Sequence, residues 1–223
     1  MALTRVRRGE LPQDAVIITE DQALRYQWKI ITAWDKMSDV WSLRYTPGII
    51  SALAAASGAY INNHYRTKLR LGSSGRFSSY LPIVVVPAMF TMLTHKFFIQ
   101  RPILVNPLSE CPVCIQVRAA AFQTALGVVY PSILAPLAAF MFATRHYTYR
   151  LPSITESPME VFQLWRKFTR PIVPVLGSII ALQALLTMYL TGKQETQNFN
   201  LMLRMKEIER EIEEQHPPEQ ILY

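Results

Sequence analysis

Charged residues are missing from four long stretches of this chain of 223 residues. A helix needs about 20 mostly apolar residues to cross a hydrocarbon core about 30 Å thick, and each stretch is close to that length or longer. A soluble domain would carry charge on the outer face of nearly every helix, so that class is excluded. The composition instead predicts an all-α membrane protein with four transmembrane helices. The charge-free stretches are Tyr45–Tyr65, Phe77–Thr94, Ala119–Thr144 and Pro171–Gly192.

Cysteine is nearly absent, since the chain has only Cys111 and Cys114, in the sequence Cys-Pro-Val-Cys. Two cysteines so close together cannot form a disulfide framework for the fold, although they can close one local disulfide. Such a pair can also be a redox couple or half of a zinc site. Zinc would need two more ligands, and none of the four histidines lies at a suitable spacing, so no metal is predicted. We expect a local disulfide or an unused thiol pair, with thiol redox chemistry as the alternative.

Catalytic groupings are absent as well. The sequence contains no Ser-His-Asp set, phosphate-binding loop or pair of carboxylates, so neither enzymatic activity nor a cofactor is predicted. The charge-free stretches also lack the ionisable residue that ion-coupled carriers usually place inside a span. A carrier or channel for small solutes is therefore the alternative function. The polar residues inside the stretches suit hydrogen bonds between helices; they are Asn62, Asn63, Gln123, Thr124 and Gln183.

Acidic residues are scarce within two of the predicted connections between spans. Residues 66–76 and 145–170 hold nine Lys and Arg residues against two acids, whereas the rest of the chain balances fourteen against fourteen. The excess lies next to the membrane, where anionic lipid headgroups are the expected partner. Nucleic acid is not expected as a partner, because no basic face carries residues that could read bases.

Amphipathic helices are predicted on both sides of the spans, and residues 1–19 are expected to form a mobile tail. Residues 20–43 place apolar side chains every three or four positions, which predicts a helix at the membrane interface or on a partner protein. Residues 193–223 predict an amphipathic acidic helix and tail, whose charge suits a protein partner better than anionic lipid. The expected contact residues are Trp28, Trp34 and Trp41 in the first segment and Leu201, Met205, Ile208 and Ile212 in the second.

Residues 44–192 form the predicted four-helix transmembrane domain, with spans at about 45–65, 77–98, 119–144 and 171–192. The first span is rich in small residues, which let helix backbones approach closely in lipid. We therefore expect it to pack against the other spans or against a membrane subunit of a partner. Prolines inside the later spans are expected to kink their helices. The expected packing residues of the first span are Ala52, Ala54, Ala56 and Gly58.

Four sequence stretches stand in a distinctive order. They are the basic loop and span start Tyr65–Pro82, the cysteine segment Glu110–Arg118, the pair Gly127–Pro131 and Ala143–Tyr147, and the segment Phe162–Pro174. In this order the chain resembles the transmembrane protein 126 family over about residues 44–193. The amphipathic N-terminal segment and the acidic C-terminal helix lie outside that resemblance.

The resemblance implies a multi-pass protein of the mitochondrial inner membrane that assists assembly of respiratory complex I. Its partners would be membrane-arm subunits of complex I and other assembly factors, and no catalytic residues come with it. The A-type of the family is associated with a more distal membrane-arm module and the B-type with the proximal arm; the residues leave this choice open. Arg5, Arg7 and Arg8 suit a mitochondrial address, and targeting through the spans is an equal alternative.

Overall fold

A computed structural model describes residues 18–105, 111–149 and 158–215. The predicted tail lies outside these residues except for its last two positions, as does the end of the chain after residue 215. All regular structure in the described residues is helical. The helices are α1, Glu20–Ala33; α2, Met37–Lys68; α3, Arg76–Val105; α4, Pro112–His146; α5, Pro158–Thr169; and α6, Val173–Gln215.

Within the described residues, three helical stretches are long and apolar enough to cross a membrane, rather than the predicted four. They are α3, α4 and the stretch Met159–Ile212, in which α5 and α6 are joined by the 3₁₀ turn Arg170–Ile172. The prediction of a fourth span at residues 45–65 was therefore wrong. That segment lies in α2, and although it lacks charge it is too rich in Ala, Ser, Asn and Gly to be strongly apolar.

The position of α2 explains its composition. This helix packs against α3, α4 and α6. Side chains along its length, from Leu43 through Ala54 to Ile61, are fully buried. A helix surrounded by other helices needs small side chains for close approach more than it needs apolar ones for lipid. By contrast, only 22% of the most apolar window of α3 is buried inside the protein, as expected of a surface that faces lipid.

Wide π-helical turns precede three of the prolines. They lie at Leu81–Val85, His95–Gln100 and Ala125–Val129, and each ends two residues before a proline, at Pro87, Pro102 and Pro131 respectively. Proline has no backbone N–H, and its ring collides with the carbonyl of the residue four positions earlier. A wider turn at that position relieves the collision and leaves the carbonyl without its usual partner.

The predicted helix 20–43 is interrupted between Ala33 and Met37. α1 ends there, and the remaining residues belong to α2. Arg44, about two turns into α2, donates from Nε to the carbonyl of Ile31 at 2.9 Å and from its guanidinium to the carbonyl of Trp34 at 3.3 Å. This side chain thus bonds carbonyls left unpaired at the end of α1, which stabilises the break. The hydrophobic pattern alone does not reveal it, because the apolar spacing continues across the gap.

The last predicted span and the acidic C-terminal helix form one continuous helix, α6, rather than two segments separated at Gly192. An isolated glycine lowers helix stability by about 1 kcal/mol without ending the helix. Gly192 has a packing reason here, because a Cβ at this position would lie 3.1 Å from the side-chain nitrogen of Gln116. The continuous helix therefore extends well past the predicted end of the span.

Candidate functional site

The small residues of α2 divide between its two faces. Ala54 and Gly58 are buried inside the bundle, whereas Ala52 and Ala56 are exposed. A Cβ placed on Gly58 would lie only 2.6 Å from the carbonyl oxygen of Ile83. Ile83 stands four residues before Pro87, so Gly58 admits the backbone of α3 at its widened turn.

Ser57, next to Gly58, meets the widened turn of α4 in the same way. Its Oγ lies 2.6 Å from the carbonyl oxygen of Gly127, the shortest of its contacts with carbonyls. Gly127 stands four residues before Pro131, so the serine hydroxyl replaces the bond that the proline cannot make. The pair Ser57–Gly58 therefore fits both proline-interrupted helices against the centre of α2.

A polar stripe runs along the inner face of α6. Its side chains recur every three or four residues and are at most 3% exposed. This spacing places them on one face of the helix, turned away from the exposed apolar residues Leu182, Leu185 and Tyr189. The stripe, here called the polar seam, consists of Gln183, Thr187, Thr191, Gln194 and Asn198.

The first residue of the polar seam, Gln183, makes hydrogen bonds with α4 and α2. Gln123 Nε2 donates to Gln183 Oε1 at 3.1 Å and lies 3.1 Å from the carbonyl of Ile50. Gln183 Nε2 reaches the carbonyl of Leu53 at 3.3 Å. Gly127 makes room for this arrangement, because a Cβ there would lie 2.6 Å from Gln183 Oε1. The sequence-based expectation that these glutamines bond between helices is therefore met.

Towards the other end of the polar seam, Gln194 makes hydrogen bonds with α3 and with the start of α2. Gln194 Oε1 lies 2.9 Å from His95 Nε2, and Gln194 Nε2 donates to the carbonyl of Ser42 at 3.2 Å. The neighbouring Gln197 accepts from the backbone N–H of Ser42 and donates to the carbonyl of Ser38, both at 3.0 Å. Amide side chains from α6 thereby bond the first turns of α2.

Ionisable side chains also lie in the long helices just beyond the charge-free stretches, among them His95 and Glu195. His95 on α3 is 3% exposed. Glu195 on α6 accepts from Gln116 Nε2 at 2.8 Å and is half-buried. Both helices continue past the ends of the charge-free stretches, which is why the sequence stretches exclude these residues.

The side chains of the polar seam are amides and hydroxyls, which suit hydrogen bonding between helices and hydration. Within the described residues, no group of three or more His, Cys, Asp or Glu side chains could hold a metal ion. Several buried polar atoms of the seam and its neighbours have no protein partner, as at Gln100 Oε1, Gln123 Oε1, Thr187 Oγ1 and Thr191 Oγ1. Such atoms suit buried water.

The cysteine pair occupies the first turn of α4. Cys111 is the residue immediately before the helix, Cys114 lies in its first turn, and both are exposed thiols. Hydrogen bonds from the Cys114 side chain and then from the Cys114 backbone N–H lower the pKa of Cys111, although nearby Glu195 raises it. This is a setting in which thiolate chemistry is favoured. The local disulfide and the redox alternative both stay predictions.

Some of the predicted contact residues near the termini meet one another inside the molecule. Trp28 and Trp34 pack, partly buried, with Met205 on a cluster that contains the buried Leu201. Trp41 is half-buried. Ile208 and Ile212, farther along α6, are 46% and 56% exposed.

Comparison with known proteins connects this architecture to a family. The family model described as Transmembrane protein 126 matches residues 29–211. The chain belongs to the transmembrane protein 126 family. It is 75% identical over 221 residues to Transmembrane protein 126 of Drosophila melanogaster, covering 99% of each chain. It is 26% identical over 141 residues to Transmembrane protein 126A of Homo sapiens, covering 63% of this chain and 69% of that protein. No solved structure matches the chain.

The family assignment confirms the resemblance and extends it. The family match at residues 29–211 reaches beyond the expected range of 44–193 on both sides. It includes the last five residues of α1 and the greater part of the acidic end of α6. The acidic end of α6 therefore belongs to the family architecture, whereas most of α1 lies before the match.

Proposed function

We propose that this member of the transmembrane protein 126 family is a non-catalytic assembly factor for mitochondrial respiratory complex I. It would be a multi-pass protein of the inner membrane that binds membrane-arm subunits and other assembly factors in a chaperone-like way. The resemblance and the family assignment support the proposal. So does the interior of the described residues, in which polar groups bond helix to helix.

The observation that carries the proposal is the uncovered end of α6. Leu201 is 2% exposed and Met205 is partly buried against α1, but the same row continues into the exposed Ile208 and Ile212. The polar residues around this row are largely acidic. Because acidic side chains disfavour contact with anionic lipid, a protein groove is the better cover for these isoleucines.

A second surface for a partner lies on α2. Its exposed positions recur every three or four residues on one face and are mostly small or aromatic. A stripe of small residues allows a partner helix to approach closely in a membrane. A hydrophobic subunit awaiting its final neighbours could be covered there. The exposed positions in the central part of α2 are Tyr45, Gly48, Ala52, Ala56 and Tyr60.

Native gel electrophoresis of mitochondrial membranes tests the proposal. The protein is expected to migrate with complex I intermediates, and Ile212→Ser is expected to weaken that association. Leu203→Ser is the matched control, because Leu203 is 45% exposed on the opposite side of the same helix. Exclusive migration of the unaltered protein as a free monomer would contradict the proposal.

A carrier or channel for small solutes is the second candidate, and the polar seam favours it. Its unpartnered oxygens could contact a solute or a file of water. Solute uptake by the purified protein in liposomes would support this function. Assembly defects without any transport would dismiss it.

A further inference from the structure

One end of the bundle carries most of the unbalanced positive charge. This basic end comprises the last turn of α2, the turn into α3, the end of α4 and the helix α5. The described residues of the connections 66–76 and 145–170 place eight Lys and Arg residues there against one acid, Glu160. Even if Glu160 paired with a cation, seven positive charges would be left without an acidic partner from these residues.

Arg66 organises the turn between α2 and α3. It is only 4% exposed, and its guanidinium donates to the carbonyls of Gly72 and Ser74, each at 2.9 Å, and to Ser79 Oγ at 2.9 Å. Gly75 contributes a fourth, longer contact from its carbonyl at 3.3 Å. The turn thus wraps around a buried cation with neutral oxygens. No carboxylate among the described residues pairs with it.

The backbone of this turn is shaped for that wrapping. Arg70, Gly72 and Gly75 all have positive φ, at 53°, 54° and 60°. Glycine adopts this conformation without steric cost, whereas Arg70 adopts it against its preference. The turn therefore holds Arg70 in a strained backbone conformation.

A cavity of about 740 Å³ opens beside these residues. Its lining includes three arginines, Arg66, Arg70 and Arg76, together with Asn63 and Tyr80. Burial lowers the pKa of Arg66, Tyr80 raises it, and the neighbouring Arg76 lowers it further. An anion in the cavity would offset the burial and the repulsion between the cations. The planar guanidinium groups of Arg70 and Arg76 can bind phosphate oxygens through paired hydrogen bonds. Arg66, whose Nη atoms already donate to the turn, contributes its positive charge.

The surface next to the cavity is apolar. Phe77 is 91% exposed and Leu81 is 62% exposed, and both lie in the first turns of α3, a helix apolar enough to cross a membrane. A free phosphate has no use for such a surface. A lipid does, because its acyl chains continue from the phosphate into the hydrocarbon region.

We propose that the cavity of Arg66, Arg70 and Arg76 binds the phosphate of an anionic phospholipid headgroup, with the acyl chains along Phe77 and Leu81. The site is separate from the protein-contact surfaces of the assembly proposal and does not depend on it. Basic cavities beside transmembrane helices are a known way of holding such headgroups.

Binding of fluorescent phosphatidylglycerol to the purified full-length protein in detergent tests this site. The variant R70Q/R76Q is expected to weaken binding by about tenfold or more, since each guanidinium contributes attraction to the headgroup. Both side chains are exposed, so the variant should keep the helical circular dichroism of the original protein. The matched control is R166Q/K167Q, which removes two exposed positive charges at the same end of the bundle.

The outcomes separate a built site from general attraction. Loss of binding in R70Q/R76Q with binding retained in R166Q/K167Q supports the proposal. Equal losses in both variants, or no loss in either, would overturn it. Competition distinguishes a lipid from a free anion: unlabelled phosphatidylglycerol should displace the probe far better than inorganic phosphate. Equal displacement by inorganic phosphate would overturn the assignment to a lipid.

Discussion

The two ends of the bundle are stabilised by different chemistry. At the basic end, a single guanidinium, that of Arg66, holds a turn through neutral oxygens and leaves the positive charge uncompensated. At the opposite end, charges are paired between helices, as in Arg101 with Asp21 at 3.0 Å and Arg204 with Asp39 at 2.9 Å. We call this the paired end.

The difference suggests different tasks for the two ends. Uncompensated cations beside an apolar surface suit the headgroup and chains of a lipid. Paired charges neutralise one another, so the exposed apolar side chains, such as Ile208 and Ile212, are what remains available for contact. A protein can be bound there without charge complementarity. The basic end is therefore the lipid-facing end of our account and the paired end the protein-facing one.

The largest effect is expected midway between the ends, where Gly58 meets α3. Gly58→Ala places a Cβ 2.6 Å from the carbonyl oxygen of Ile83, so backbone must move and about 3 kcal/mol of stability should be lost. Thermal unfolding in detergent measures the loss. Gly48→Ala is the control on the same helix, because nothing lies within 4 Å of its Cβ position, so no loss and a gain of up to about 1 kcal/mol are expected. Similar unfolding of both variants would show that the close approach of α3 to Gly58 does not contribute to the stability of the bundle.

The next largest effect is expected at the basic end. Arg66→Ala removes the donor of four hydrogen bonds to the turn and should cost about 2 kcal/mol. Hydrogen exchange should locate the loss in the turn between α2 and α3 and leave the paired end protected. Lys68→Ala is the control, since Lys68 is exposed near the same helix end. Loss of protection at both ends would break the distinction between them.

A smaller effect is expected at the paired end. Gln197→Leu removes a donor to Ser38 and an acceptor from Ser42, at a cost of about 1.5 kcal/mol. The reduced protection should be confined to the first turns of α2. Asn200→Leu, an exposed amide on the same helix, should leave protection there unchanged. An effect of Gln197→Leu that spreads to the basic end would mean that the ends are coupled.

The smallest effect is a change in reactivity rather than stability. Cys114→Ala removes the side-chain hydrogen bond that contributes most to lowering the pKa of Cys111. The pKa of Cys111 should rise, so its alkylation should require a higher pH than in the original protein. The rate of alkylation against pH measures this shift. Val113→Ala, which changes an exposed neighbour, should leave the profile in place; an equal shift would show that the side chain of Cys114 is not the cause.

Sequence patterns predicted the helical class and the location of three apolar spans, because charge exclusion from lipid is visible in composition. They failed at α2, since absence of charge does not distinguish a helix that faces lipid from one covered by other helices. The break between α1 and α2 depends on Arg44 reaching back to carbonyls of Ile31 and Trp34, a contact that no periodicity shows.

The candidate surfaces were partly visible in advance. The spacing from Gln183 to Asn198 marks the polar seam, but the predicted break at Gly192 divided it between two segments. The small residues at positions 52, 54, 56 and 58 look alike in the sequence. Their pattern therefore could not assign Ala54 and Gly58 to the interior and Ala52 and Ala56 to the surface. That assignment depends on which face meets the widened turns before Pro87 and Pro131.

Photo-crosslinking from one position at each end tests the central distinction most directly. A photoreactive residue at Ile212 should form adducts with protein in native membranes, including complex I membrane-arm subunits or assembly factors. The same residue at Phe77 should form adducts mainly with phospholipid. Lipid adducts from Ile212 together with protein adducts from Phe77 would contradict the account.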